Sequence, residues 1–272
     1  MQRLLSFPIK DSKVIQKLRE ASMAAPANRD AQIALALALI RAGCTYEAAS
    51  ILRPLRSHWA ASKNAALAQE AIAAQAWWTK NWRDFARLMT SGNVQKALAL
   101  LGDRATDYWD LPSLLMHLGG IAADDDQTDI ARHLFERVTY LSERGLPKMN
   151  MQAFSYVSQA ALAGILCKTG DVGGALARHR SIRPNPGNAM GHEMQEARLL
   201  VAAGHVDEAM RSAAAILVTA TKDRTGYSKD MRLAFITSSP DLARIRKHRD
   251  WKPMLKDPAA YLRSAQKMRR AL

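Results

Sequence analysis

The chain has 272 residues, 48% of them hydrophobic, with a formal net charge of +14 and two cysteines. That length gives one large domain or two small ones with a buried core. Two isolated thiols, Cys44 and Cys167, exclude a disulfide framework and any zinc-finger spacing, and fit a reducing compartment. The apolar residues are rich in Ala, Leu and Met, and only 6% of the chain is aromatic. This mix favours helices, and no alternating run reads as a strand. No stretch approaches the roughly 18–20 apolar residues of a membrane span. The apolar run near Met1 is too short for a signal peptide, so a cytoplasmic protein is expected, one with no membrane span and no cofactor.

In chain order, a first helix is predicted from an N-cap at Ser12 to about Met23, with Val14, Ile15, Leu18 and Ala21 on its apolar face. Pro26 and Asn28 break it. Ala31 to Ala42 reads as the next helix and ends at Gly43. Its partner starts at Thr45, carries Ala48, Ile51 and Leu52, and stops near Pro54. Residues 60–90 are alanine-rich and then aromatic, with Asn81 placed to cap a second helix inside the stretch. Gly92-Asn-Val94 through Ala97 repeats the pattern of a Gly followed five residues later by an Ala, and Asp126 to Ala131 repeats it with Asp in place of Gly. Gly145 and Pro147 mark a longer connection.

The pattern is clearest at Leu162–Leu176 and Glu196–Met210, where Gly170, Val172 and Ala175 recur as Gly204, Val206 and Ala209, each 34 positions on. Tracing the small residue gives five units, at Ala48, Ala97, Ala131, Ala175 and Ala209. Their intervals are 49, 34, 44 and 34 residues. A period near 34 marks stacked helical hairpins, which tolerate insertions in their loops. After Ala220 the texture changes. Thr221–Asp230 reads as a polar loop, and Ser239-Pro240 and Asp257-Pro258 read as helix starts. The last helix places Tyr261, Ala265, Met268 and Leu272 on one face and Arg263, Lys267 and Arg270 on another. The residues from Lys222 to Leu272 carry 14 Lys/Arg against 5 Asp/Glu.

These motifs resemble the tetratricopeptide repeat. Leu162, Ala163, Leu166, Gly170, Ala175 and Pro186 follow its order, as do Ala197, Leu200, Gly204 and Ala209, although Glu196 stands where Leu is usual. The resemblance is good over 153–220 and extends to 30–56 and 78–140. It implies an all-α, right-handed solenoid of antiparallel helix pairs. The expected organisation is an N-terminal helix and linker at 1–28, the repeat array at 29–220, and a basic helical cap at 221–272. The resemblance also implies a concave groove that binds a peptide or a helix of a protein partner. Its lining would be Trp82, Met116, His117, Met194, Gln195 and Arg198, with Ala86, Ala160 and Gly164. The Lys/Asn pair of the family's carboxylate clamp is missing. The expectation is therefore a non-catalytic adaptor of unspecified ligand.

The second reading is an anion binder, nucleic acid above all. It would use Arg244, Arg246, Lys247, Arg249 and Lys252 around Trp251, whose ring would be free for stacking. A pentatricopeptide likeness at Leu166–Gly170 adds little, because Ala161 at the base-facing position cannot read a base edge. Trp78, Trp82, Phe85 and Met89 recur at helical spacing beside Trp77 and read as core, with Trp82 the exception. Trp109 and Trp251 read as packing at unit boundaries. Arg178-His179-Arg180 with Arg183 reads as a solvated basic face. Catalytic and metal motifs are absent. His192-Glu193 lacks the second histidine of the helical zinc motif, Asp124–Asp126 lacks calcium-loop spacing, and the other histidines, including His179, are scattered singly.

Overall fold

The computed structural model describes residues 2–144, 151–182, 189–222 and 226–271. The expectations for Gly145, Pro147, Arg183 and Pro186, and for the side chains of Lys267, Met268, Arg270 and Leu272, lie outside the described residues. A 3-10 turn at Gln2–Ser6 precedes α1 (Lys13–Ala24), α2 (Arg29–Arg41), α3 (Thr45–Leu52), α4 (Arg56–Trp59), α5 (Ala65–Thr90), α6 (Val94–Leu101), α7 (Pro112–Asp124) and α8 (Thr128–Arg144). Then follow α9 (Met151–Lys168), α10 (Val172–Ser181), α11 (Ala189–Ala202), α12 (Val206–Lys222), α13 (Gly226–Ser238), α14 (Ala243–Arg246), α15 (Trp251–Lys256) and α16 (Pro258–Ala271). Among the described residues every element is a helix or a 3-10 turn, and the one strand-type pairing is an isolated bridge between Cys44 and Tyr108. The chain divides into two compact units, Met1–Ser158 and Gln159–Leu272.

One local device recurs in both units. Gly43, Gly92, Gly170 and Gly204 all take left-handed φ values, between +74° and +89°, and Asp126 takes +55° in the fifth copy. An L residue with a Cβ rarely adopts this conformation. It turns the chain so that the next N–H reaches back over the helix end. Cys44, Asn93, Gln127 and His205 donate to the carbonyls of Leu39, Leu88, Ala122 and Leu200 at 2.8–2.9 Å, which closes the open end of the preceding helix. The following helix starts at once. Its first-turn alanine (Ala48, Ala97, Ala131, Ala175 or Ala209) donates to the carbonyl of the N-cap residue and is fully buried in all five copies. With so short a link the two helices fold back side by side, and only a methyl group fits between them. α2 packs on α3, α5 on α6, α7 on α8, and α11 on α12. Ala163 of α9 and Ala175 of α10 share the core of the second unit.

Several details differ from the sequence expectation. Ser12 caps α1 as expected, accepting from the Ile15 N–H at 3.3 Å. The inward face, however, is Ile15 with Leu18, Arg19 and Ser22, whereas Val14 is 63% exposed and Ala21 is exposed. The rotation follows Arg19, which reaches Asp11 and Glu47. Asn81 starts no helix: α5 is continuous over 26 residues, and Asn81 Nδ2 donates to the Trp77 carbonyl one turn back at 2.7 Å. Thr221–Asp230 is mostly helical, since α12 runs to Lys222 and α13 begins at Gly226, bringing Phe235 and Ile236 into the second core. Ser239 precedes a 3-10 turn with Pro240 in its first position. Asp257 caps α16, accepting from the Ala260 N–H at 2.8 Å.

The first unit is tied together by a buried charge network. Asp11 sits just before α1 with its side chain 2% exposed. It is held by Arg137 (3.1 Å) and Arg144 of α8 and by Arg19 (3.4 Å). Arg144 and Arg19 also bind Glu47 of α3. Arg137, 1% exposed, donates further to the carbonyls of Trp109 (3.0 Å) and Ile9 (2.9 Å) and to Cys44 Sγ (3.2 Å). Trp109 is fully buried and its indole N–H donates to the Pro8 carbonyl at 2.9 Å. Burial alone would raise the Asp11 carboxyl, but the charges of Arg144 and Arg137 outweigh it and hold the group below its ordinary value. Burial raises the Cys44 thiol well above its ordinary value, so it stays protonated. Asp110 is the opposite case to Asp11. Its Oδ2 accepts the Glu47 N–H at 2.6 Å, while its buried Oδ1 has no partner among the described residues. Burial pushes it from 3.8 up to about 7.

The turn geometry and the charge network each have a direct test. A Cβ on Gly43 would lie 2.6 Å from the Thr106 carbonyl oxygen and 2.8 Å from the Phe7 ring, whereas one on Gly92 meets nothing within 4 Å. Gly92→Ala is expected to cost about 1–2 kcal/mol for the left-handed backbone alone, and Gly43→Ala about 1–3 kcal/mol more from overpacking. Asp126→Gly is expected to stabilise by about 0.5–1 kcal/mol. Urea denaturation measures all three, and equal losses at Gly43 and Gly92 would refute the crowding argument. The second prediction concerns pH. The unfolded Asp110 carboxyl releases its proton near 3.8 and the folded one only near 7, so Asp110 removes stability as pH rises between these values. Asp11, with its depressed folded pKa, instead loses its stabilising contribution as pH falls below 3.8. Asp110→Asn should abolish the decline between about pH 4 and 7 in unfolding free energies measured across that window.

Candidate functional site

The second unit carries a cleft of about 680 Å³ between α9, α11 and the turn Pro240–Leu242 that leads into α14. α11 presents Gln195, Arg198, Leu199 and Ala202 to it, spaced as one helix face. α9 adds Gly164, Cys167 and Lys168 from its last turns, and Asp241, Ala243 and Arg244 close the opposite wall. The floor is apolar and the rim carries three cations, Lys168, Arg198 and Arg244, against one carboxylate, Asp241.

Each rim group has a local reason for its position. Arg198 Nε lies 2.9 Å from Asp241 Oδ2, and its guanidinium stacks 5.0 Å from the Phe235 ring centroid. The pair and the ring orient the arginine while its side chain stays 44% exposed. Arg246 Nη1 donates to the Ser239 carbonyl at 2.8 Å, which fixes the turn that carries Asp241. Arg244 is exposed and makes no ion pair among the described residues.

The structure thus brings together residues that the sequence places in two separate groups. Gln195 and Arg198 are groove candidates and Arg244 belongs to the basic segment, yet all three line one cleft. Met194 packs against the core of the unit instead. Lys247, Arg249 and Lys252 are exposed, with Arg249 3.9 Å from Asp250. Trp251 is packed against the same core, so its ring is not the free stacking platform expected from the sequence. Ala160 is half-buried.

The remaining groove candidates belong to the first unit. Trp82 of α5 is half-buried between fully packed Trp78 and Phe85, with centroid distances of 5.1 and 5.9 Å. It also lies 5.9 Å from the ring of His117 on α7. Burial lowers the His117 pKa below its ordinary value. Met116 and Ala86 are half-buried. This is an aromatic seam joining α5 to α7.

From the sequence the histidines read as isolated, and His179 as part of a solvated face. His179 is fully buried and its ring stacks on that of His192 at 3.9 Å. Among the described residues of that cluster, Arg180, bound to Glu196 and Glu208, behaves as a surface cation, while Arg178 donates to Gln159 at 2.7 Å. The two histidines stand 13 positions apart on different helices, a spacing that gives no sequence signal of their contact.

The chain matches no protein-family model, and neither curated proteins nor solved structures match it. The Arg198–Asp241 pair is solvent-facing, and exposed pairs contribute little to stability. Arg198→Ala is therefore expected to change the unfolding free energy by less than about 1 kcal/mol, measured by urea denaturation. A larger loss would show that the arginine holds the unit together and does not serve its surface.

Proposed function

We propose that the helix pairs of each unit stack as tetratricopeptide-like repeats, and that the protein is a non-catalytic adaptor working in the cytoplasm. The five left-handed turns, each followed by a fully buried alanine, support the repeat reading. Among the described residues no helix is long and apolar enough to cross a membrane.

The ligand that fits the second-unit cleft is an extended, acidic segment of a protein partner. One observation carries this: three cations rim an apolar floor, and one of them, Arg198, is held in place by Asp241 and Phe235 while remaining exposed. Apolar side chains of the segment would meet Leu199, Val201 and Ala202, and its carboxylates would meet Lys168, Arg198 and Arg244. Planar guanidinium groups suit carboxylates because they offer two parallel donors. A nucleic-acid ligand remains the second reading, supported by the exposed cations Arg244, Lys247, Arg249 and Lys252.

Fluorescence polarisation with the full chain separates the two. Acidic peptides with interspersed apolar residues should bind at least about tenfold tighter than their Lys-substituted counterparts. Arg198→Ala and Arg244→Ala should each weaken binding by about three- to tenfold, the range for truncating one partner of a partly exposed charge pair. Equal binding of both peptide classes, or no effect of either variant, would refute the adaptor reading. Single-stranded oligonucleotide binding that falls steeply with salt, by roughly 0.7 log units per log unit of salt for each phosphate contacted, and that ignores Arg198→Ala would establish the second reading.

A further inference from the structure

We propose that His179, His192 and Glu196 form a binding site for a divalent transition-metal ion of the zinc type. One donor atom from each of the three lies within 4.8 Å of the others. His192 and Glu196 are one turn apart on α11, so both face the same side, and His179 of α10 stacks on His192 with an interplanar angle of 18°.

The hydrogen bonding of His179 leaves one ring nitrogen available to a ligand-binding role. Its Nε2 lies 3.0 Å from the His192 carbonyl oxygen. A carbonyl only accepts, so Nε2 carries the proton. The lone pair is then on Nδ1, which is buried with no hydrogen-bond partner among the described residues. Leaving such an atom unsatisfied in a fully buried residue costs stability unless something binds it. A ring N–H donated to a backbone carbonyl, with the other nitrogen turned to the metal, is how metal-binding histidines are held.

Glu196 is half-buried beside the two rings. Arg180 Nε binds its Oε1 at 2.9 Å, and the carboxylate has a second oxygen to offer. Glu196 further lines a cleft of about 380 Å³ with Glu193, Glu208 and Arg211. That cleft opens the Glu196 carboxylate to solvent.

Two imidazoles and one carboxylate make the three-ligand set of an open zinc site. Donors about 2.0–2.1 Å from a tetrahedral ion lie roughly 3.3 Å apart. Loading would therefore draw the three donor atoms, now within 4.8 Å of one another, closer together. The ion would link α10 to α11, so it should stabilise the second unit by mass action. The site is separate from the peptide cleft, and the proposal does not rest on the adaptor reading.

The test uses the untagged full chain, freed of metal by chelator dialysis, with zinc followed by calorimetry and cobalt by its visible absorption. The expected result is one ion per chain, tetrahedral-type cobalt bands and a raised unfolding temperature. His192→Gln and Glu196→Gln should each weaken binding at least about tenfold while circular dichroism remains helical. His248→Gln, at the separate contact of His248 with Asp207 and Asp250, should bind as the parent does. His179→Gln adds a third measurement, and the other two variants carry the test if it fails to fold. No binding by the parent chain at micromolar metal, or undiminished binding by the His192 and Glu196 variants, would overturn the proposal.

Discussion

The fold rests on one steric constraint, repeated five times. A helix ends in a left-handed residue, and a second helix begins so soon afterwards that its first-turn alanine is pressed against the first. The backbone is saturated at the junction, because the N–H after the left-handed residue closes the preceding helix and the alanine N–H opens the next. Side-chain volume at that alanine would force the helices apart, and a Cβ at the turn strains its backbone. Asp126 shows that the geometry outranks the residue type: with no glycine available, the chain still takes the left-handed turn, in the exposed position where an Asp best tolerates it.

Because this device governs only neighbouring helices, each unit needs other ties. In the first unit these are ionic and aromatic. Arg137 reaches the segment before α1, the start of α7 and Cys44 beside α3. It holds chain segments more than 100 residues apart. The network also accounts for the rotation of α1, since burying Arg19 beside two carboxylates outweighs burying Val14. Its balance is uneven, as Asp11 is flanked by arginines whereas Asp110 is dehydrated without a cation bonded to it. The two carboxyls are consequently shifted in opposite directions.

The second unit is built differently. Its core is mostly aliphatic, made largely from small and medium side chains of α9 through α15 with Phe235 among them, and most of its polar groups are left at the surface or in pairs. That arrangement leaves a cationic rim over an apolar floor on one side. On another it leaves a buried imidazole stacked on a half-buried one beside a carboxylate. The two sites draw on neighbouring residues of α11, with Gln195 and Arg198 in one and His192 and Glu196 in the other. One helix thus presents two different sets of polar side chains on two of its faces.

The recurring turn was legible because it is local. A left-handed Gly and a buried Ala five positions on are set by short-range sterics, so Gly170 and Gly204 announce their turns in the sequence. The Ser12 and Asp257 caps are legible for the same reason. The continuity of α5 was not, because Asn81 satisfies its amide on the carbonyl one turn back, an option equal in sequence terms to capping. Likewise Thr221–Asp230 looks polar, yet α13 is helical because Phe235 and Ile236 bury its later turns. Relations across helices left no trace at all: the sharing of one cleft by Arg198 and Arg244, and the meeting of His179 with His192 and of Asp11 with Arg137, depend on how side chains pack in three dimensions. The chain's local chemistry established which segments turn and which small residues sit between helices, while packing alone chose which polar groups were buried together and which were left to face solvent.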